Sequence, residues 1–289
     1  ATRQADAARP TLYSDVPLPA GTWWKNAIAV KEYNLIKKTL AHARSTTNLD
    51  TVVAHLKTRQ HKLVTRKNKF DITVLMAFGL GFTMAIGVGC VLFSSTLVDF
   101  GLFLVLLSFF HMWEYSYVSL FHPETLSYES FLLTHSKQFS IAMAFAFTEY
   151  FVEWYFFPWL KGNWMLYIVA FVVAVAGQAI RTTAMYTAGV SFHHMVQDEK
   201  AENHTLVTSG IYSIWRHPSY FGWFWWSVFT QLVLQNPISL IGYTVASWMF
   251  FADRIPYEEE MLEEMFGTAY VDYCKKVPIR IPFIPSQYK

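Results

Sequence analysis

Residues 204–220 read His-Thr-Leu-Val-Thr-Ser-Gly-Ile-Tyr-Ser-Ile-Trp-Arg-His-Pro-Ser-Tyr, and between Arg216 and Asp253 no formally charged side chain intervenes. A polar, turn-rich segment thus opens straight into a long apolar run, broken only at Asn236-Pro237. Each half of the run is about long enough to cross ~30 Å of hydrocarbon at ~1.5 Å per residue. The residue before a proline is biased away from helical backbone. The pattern therefore predicts two spanning helices joined as a hairpin, with both ends on the same side of a bilayer. The fold class that follows is an all-α polytopic membrane protein, with the hydrogen-bonding groups of 204–220 at the membrane's edge.

Upstream, Ile72 to Val98 is uncharged between Asp71 and Asp99, which predicts a first span. Phe100 to Phe121 is nearly as apolar but contains His111, Glu114 and clustered tyrosines, residues that favour a headgroup boundary. Gln138 to Leu160 carries Glu149 and Glu153 one helical turn apart, and those carboxylates are expected to face the bundle. Gly162 to Ile180 is a fourth span, meeting Arg181 at its end. With the hairpin, about six transmembrane helices are expected. Beyond them Pro256-Tyr-Glu-Glu-Glu reads as the first turn of a separate amphipathic helix, with Gly267 as its stop. The expected organisation is a polar extension over residues 1–69, with Trp23 to Leu40 suited to a membrane-surface helix, spanning helices over 70–160, and a catalytic half over 161–289.

Composition agrees with a membrane protein, since 53% of the 289 residues are hydrophobic and only 15% charged. A net charge of +2 gives no nucleic-acid footprint. Cys90 lies inside an apolar run and Cys274 near the basic carboxyl end, so no disulfide framework is implied. Lys57, Arg59, Lys62, Arg66, Lys67 and Lys69 precede the first span, which predicts a cytosolic amino terminus. An even number of spans returns the carboxyl terminus to the same face, so the segment from Arg181 to His217 and the acidic helix both face the cytosol and form one pocket there.

No glycine-rich phosphate loop, paired-cysteine metal pattern or serine elbow is present in the sequence. The histidines at 193, 194, 204 and 217 match no metal-binding spacing, and no metal is expected. Pro218 delivers His217 and Tyr220 to the start of a spanning helix, whose unpaired backbone donors can bind polar ligand groups; as an interfacial anchor the same string would serve equally. Leu206, Val207 and Gly210 suit a flat apolar slot such as an adenine ring needs, or an ordinary surface loop. Glu258 and Glu259 could each accept two hydrogen bonds from a vicinal diol, or compensate a helix dipole. Arg181 and Arg254 each close a predicted span at the cytosolic boundary, where a guanidinium could hold a carboxylate in bidentate fashion or act as an anchor.

His204-Thr-Leu-Val-Thr-Ser-Gly-Ile-Tyr212, Arg216-His-Pro-Ser-Tyr220, Gly222-Trp223, Arg254 with Glu258-Glu259-x-x-Leu262, and Ala184-Met185-Tyr-Thr-Ala-Gly189 together resemble the isoprenylcysteine carboxyl methyltransferase family. The resemblance runs from about Phe70 to Pro285. It implies an endoplasmic reticulum enzyme that transfers a methyl group from S-adenosylmethionine to the terminal carboxylate of a prenylated cysteine, in processed CaaX proteins such as Ras-type GTPases. It implies cofactor contacts from Gln197, His204, Thr205, Leu206, Val207, Tyr212, His217, Pro218, Ser219, Tyr220 and Glu258, with Glu259 beside them. Arg254 would meet the acceptor carboxylate, and Arg181 and Trp223 are further catalytic candidates. Where eukaryotic members carry an additional apolar hairpin, residues 1–69 here are polar.

Such a reaction suits a site with no catalytic triad. A carboxylate with a reference pKa of ~3.5 is already an anion at neutral pH, so transfer from a sulfonium needs placement and water exclusion rather than a general base. A prenyl tail worth ~0.8 kcal/mol per buried methylene is expected to enter from the lipid, between spans. The competing readings are a sterol-reductase-like NADPH enzyme, a phospholipid methyltransferase, and a transporter or scaffold. A nicotinamide phosphate would call for clustered basic residues, and residues 190–220 offer only Lys200 and Arg216. A transporter would concentrate polar groups at the bilayer midplane, where Glu149 and Glu153 are the main candidates.

Overall fold

The computed structural model describes residues 72–123, 125–133, 136–194 and 205–284. Gln197, His204 and the extension over residues 1–69 lie outside the described residues. Among the described residues all regular structure is helical. The long helices are α1 (Ile72–Phe93), α2 (Val98–Phe121), α3 (Lys137–Phe156), α4 (Trp164–Ala188), α5 (Pro218–Val233), α6 (Pro237–Phe266) and α7 (Thr268–Lys276). Three of them, α1, α2 and α4, are long and apolar enough on their own to cross a membrane. The helix α3 carries two glutamates, α5 has 16 residues, and α6 runs for 30, about 45 Å at ~1.5 Å per residue.

Large apolar side chains point outward, as lipid-facing surface requires: Phe78 and Phe82 of α1, Ile141 of α3 and Val172 of α4 are all exposed. Inward, Phe103, Leu107 and Phe110 of α2 pack with Tyr150 of α3, Ala170 and Ala174 of α4, and Trp226 and Val233 of α5. Two glycine contacts let helices touch backbone to backbone. A Cβ on Gly87 of α1 would lie 2.7 Å from the Gly101 carbonyl of α2, and one on Gly177 of α4 would lie 2.7 Å from the Gly222 carbonyl of α5.

The predicted hairpin is present, with its turn at Leu234 to Asn236 and Pro237 opening α6. Both intramembrane glutamates face inward as expected, and they build this turn. The Glu149 carboxylate accepts from the backbone N–H groups of Ile238 and Ser239, each at 2.7 Å, and from the Ser239 hydroxyl, so it caps the positive end of α6. Glu153 pairs at 2.7 Å with Lys161, whose ammonium also donates to the carbonyls of Leu234 and Gln235 and to Asn236 Oδ1. Gln235 takes a left-handed backbone with φ 54°, and its side chain donates to Asp99 and accepts from the Asn163 N–H. These groups complete one another, which removes them as a transport path.

Three expectations are corrected. Pro256 does not start a new helix; it lies inside α6, which continues unbroken to its cap at Gly267. Proline there forfeits one backbone bond, and the flanking turns hold the helix together. Arg181 does not end the fourth span either: α4 continues seven residues further, to Ala188, because the side chain is buried and neutralised within the bundle. Its partner is Glu114, which is wholly buried rather than at a headgroup boundary.

Candidate functional site

The segment after α4 and the two helices of the hairpin line two cavities that share a wall. The first is lined by Thr205, Leu206, Val207 and Tyr212 from the loop, by His217, Ser219 and Tyr220 at the start of α5, and by Glu258 of α6. These eight are the described residues of the expected cofactor set apart from Pro218 and Glu259. Pro218 supplies the first turn of α5 and is not among the lining residues. Opposite the loop, Met261, Leu262, Met265 and Phe266 of α6 complete an apolar slot. Sequence reasoning missed this face, although 258, 261, 262 and 265 follow the i, i+3, i+4, i+7 spacing of one helix side.

Glu259 points away from that cavity. Its carboxylate accepts at 2.8 Å from Arg216 Nε and lies 3.2 Å from His217 Nε2, in a site where the Arg216 and Glu259 side chains are each 1% exposed. Arg216 also donates to the carbonyls of Cys274 and Val277 at 2.9 and 2.8 Å, while its backbone N–H donates to the Pro278 carbonyl. Arg216 is therefore a buried strut rather than an interfacial anchor, and it ties α7 and the carboxyl-terminal strand of coil beneath the loop. Tyr273 reinforces the strut by donating at 2.6 Å to the Tyr212 carbonyl. Burial acts to raise the pKa of Glu259, but the hydrogen bond and charge of His217, with those of Arg216, outweigh it and leave the group below its ordinary value. Burial pushes the Cys274 thiol up to about 11, so no thiolate nucleophile is offered here at neutral pH.

The second cavity, about 700 Å³, runs along the hairpin. Its walls are mostly apolar and aromatic, with Phe103 and Phe110 of α2, Phe139, Ile141, Ala142 and Phe145 of α3, Trp223 and Trp226 of α5, and Gly242, Ala246 and Phe250 of α6, interrupted by polar groups such as Gln138, Thr230 and Gln231. The lining residues of α6 extend from Ile238 to Arg254, a span of seventeen residues or about 24 Å of helix. Ile141, Phe145, Gly242, Ala246 and Phe250 are exposed, so the cavity opens sideways between α3 and α6.

Arg181, Arg254 and Trp223, the three catalytic candidates, all line this second cavity. The two arginines differ in what is already bound to them. Arg181 grips Glu114 in bidentate fashion, Nε to Oε1 at 2.6 Å and Nη2 to Oε2 at 2.9 Å, and donates from Nη1 to Ser219 at 2.7 Å. Glu114 additionally lies 2.7 Å from His194 Nε2. Arg254 has no such carboxylate grip: it donates from Nε to the Tyr220 hydroxyl at 2.8 Å and from Nη2 to the His194 carbonyl at 2.7 Å. Tyr220, Phe192 and His193 line both cavities and form the partition between them. Among the described residues no three His, Cys, Asp or Glu side chains gather as metal ligands would.

The sequence profile of the isoprenylcysteine carboxyl methyltransferase (ICMT) family matches residues 168–264, the stretch that contains α5, nearly all of α4 and α6, and most of both cavities. A protein-S-isoprenylcysteine O-methyltransferase of Dictyostelium discoideum is 53% identical over 193 residues, which cover 67% of this chain and 81% of the relative. The chain belongs to the isoprenylcysteine carboxyl methyltransferase family. The human protein-S-isoprenylcysteine O-methyltransferase is 41% identical over 222 residues, 77% of this chain and 78% of its own length. A solved eukaryotic intramembrane Ras methyltransferase of the family superposes with a TM-score of 0.71 at 35% identity, covering 88% of this chain and 93% of that one. Glu114 and His194, which the sequence reading did not single out for the site, meet behind the second cavity, where Glu114 holds Arg181 and lies 2.7 Å from His194 Nε2.

Proposed function

We propose that the chain is an integral membrane methyltransferase that moves the methyl group of S-adenosylmethionine to the terminal carboxylate of a prenylated cysteine. The observation that carries this reading is the shared partition at Tyr220: a polar and apolar nucleoside-type cavity with Glu258 lies on one side, and a long lipid-like cavity headed by Arg254 lies on the other. When bound, S-adenosylmethionine supplies an electrophilic methyl on a positively charged sulfur. The first cavity suits it chemically, since Leu206, Val207, Leu262 and Phe266 offer a slot for a flat ring and Glu258 offers carboxylate oxygens for a diol.

Arg254 then holds the acceptor carboxylate as an ion pair, which orients one oxygen without removing its charge. Arg181 cannot do this as it stands, because Glu114 fills its fork; it acts instead through Ser219, fixing the first turn of α5. The aromatic walls exclude water, which strengthens the attraction between the acceptor anion and the methyl-bearing cation. Placement of this kind supplies up to ~7–11 kcal/mol of the barrier. The prenyl tail occupies the second cavity and reaches it through the opening between α3 and α6, where Trp223 and Phe250 line the path.

The same reading places the enzyme in the endoplasmic reticulum membrane with termini and site facing the cytosol, supported by the lysines and arginines ahead of α1. Its protein substrates are the carboxyl termini of processed CaaX proteins. The test uses purified enzyme in detergent or nanodiscs with methyl-labelled S-adenosylmethionine and N-acetyl-S-farnesylcysteine, scoring a base-labile methyl ester. Transfer to the farnesylated acid and not to N-acetylcysteine is the expected outcome. No ester, or equal methylation of the unprenylated acid, refutes the assignment.

A further inference from the structure

Arg254 and Glu258 are opposite charges one turn apart on α6, the spacing at which such side chains ordinarily pair. Here Arg254 Nε and Glu258 Oε2 stay 4.0 Å apart, and the Tyr220 hydroxyl lies between them. That hydroxyl donates its proton to Glu258 and accepts from Arg254 Nε, so its one donor and one lone pair are committed in opposite directions. The tyrosine is itself fixed from behind: its ring stacks on His217 at 5.5 Å with planes 6° apart, and it packs against Phe251.

The consequence for Arg254 is geometric. A guanidinium presents a side fork through Nε and Nη2 and an end fork through Nη1 and Nη2. Tyr220 and the His194 carbonyl fill the side fork, and the Nη1 hydrogens are used by no described residue. That leaves the end fork for a ligand in the second cavity, which Arg254 lines. Without the tyrosine hydroxyl, the side fork would turn toward the carboxylate one turn along its own helix.

From this arrangement we infer that Tyr220 is a positioning residue that keeps the acceptor's arginine and the donor's carboxylate from neutralising each other. The inference rests on the assignment of Arg254 to the acceptor and Glu258 to the donor, and it gives Tyr220 a part on the acceptor side that cofactor contact alone does not. Tyr220→Phe lets Arg254 close onto Glu258, which withdraws the guanidinium from the acceptor carboxylate. The effect is predicted to be larger on the acceptor than on the donor.

Binding of N-acetyl-S-farnesylcysteine and, separately, S-adenosylhomocysteine to the full-length protein is measured by calorimetry for the native enzyme, Tyr220→Phe, Glu258→Gln and the double variant. Tyr220→Phe is expected to weaken the farnesylated acid about tenfold, the loss of one hydrogen bond to a charged group. Adding Glu258→Gln to Tyr220→Phe is expected to restore most of that loss, because the competing carboxylate has gone. A variant that merely failed to fold would show no such recovery. An acceptor affinity within twofold of native in Tyr220→Phe overturns the inference, and so does a double variant that binds no better than Tyr220→Phe. If the native enzyme itself bound no farnesylated acid, the functional assignment rather than the role of Tyr220 would fail.

Discussion

Gly222→Ala isolates the contact on which the site's geometry depends. A Cβ at position 222 would lie 2.7 Å from the Arg181 backbone nitrogen and 3.1 Å from Arg181 Cβ, with the Gly177 carbonyl closer still. Carbon contacts relax only near ~3.5 Å, so α4 and α5 must separate by roughly 1 Å. Overpacking of this kind costs ~1–3 kcal/mol of stability. The catalytic loss should be larger than the stability loss. Arg181 and Ser219 lie on the two helices forced apart, and a 1 Å increase in their 2.7 Å hydrogen bond takes it beyond hydrogen-bonding range. The first turn of α5 also carries His217 and Tyr220, so both cavities deform together. A misplacement of ~1 Å is worth about a hundredfold in rate. Thermal unfolding in detergent and kcat/KM for the farnesylated acid, read together, check this, with Gly79→Ala as the control because nothing lies within 4 Å of a Cβ there. A Gly222→Ala protein with native stability and native turnover would mean that α4 and α5 do not approach as described.

Arg216→Met leaves the Glu259 carboxylate and two carbonyls buried without their donor, and is expected to lower stability by ~3–5 kcal/mol in a denaturation measurement. Glu259 has a depressed folded pKa, so its contribution is complete above the unfolded value of ~4.3 and is lost as pH falls through the folded one. The melting temperature of the native enzyme should therefore drop on acidification below about pH 4, and Glu259→Gln should flatten that part of the profile. Glu149→Ala strips the cap from α6 and leaves the N–H groups of Ile238 and Ser239 unpaired, for a stability loss of ~2–4 kcal/mol with no change in S-adenosylhomocysteine affinity; unchanged stability would deny the glutamate its capping part. Ala246→Trp should obstruct the opening between α3 and α6, raising KM for the farnesylated acid about tenfold while sparing the cofactor, and an unchanged KM would place the access path elsewhere.

What was readable in advance was whatever depends on local pattern. The charge-free run broken at Asn236-Pro237 specified the hairpin, and the burial of Glu149 and Glu153 followed from the cost of a carboxylate facing lipid. Thr205, Leu206, Val207 and Tyr212 of the loop line one cavity with Glu258. What local pattern could not reveal was pairing across helices. Glu114 looks like a boundary residue and Arg181 like a helix end until their bidentate contact, 67 positions apart in sequence, is seen. Each cancels the other's desolvation cost, which is why α4 can carry a charge inward and continue to Ala188. Glu258 and Glu259 are adjacent in sequence, but a helix turns ~100° between neighbours, so one reaches the cavity and the other the Arg216 strut. The Pro256 error has the same origin: propensity marks a preferred start, and tertiary support lets a long helix pass through it.

The charge balance of the second cavity bears on how the product leaves. Glu114 already neutralises Arg181, so among the described arginines and lysines lining that cavity Arg254 is the one without a bidentate carboxylate partner. On the proposed assignment of Arg254 to the acceptor, an incoming carboxylate completes that balance, and its ion pair is strengthened by walls that are largely apolar and aromatic. Methylation removes the charge that made the pair. The ester keeps the same tail and the same burial but offers only neutral oxygens, and a hydrogen bond to a charged partner exceeds a neutral one by about 1–2 kcal/mol. The prenylcysteine methyl ester should therefore bind ~10-fold more weakly than the acid, with the difference residing in Arg254. Competition calorimetry of N-acetyl-S-farnesylcysteine against its methyl ester checks this in the native enzyme and in Arg254→Ala, where acid and ester should converge. An ester that binds the native enzyme as tightly as the acid would show that the tail alone determines affinity, and that Arg254 does not distinguish substrate from product.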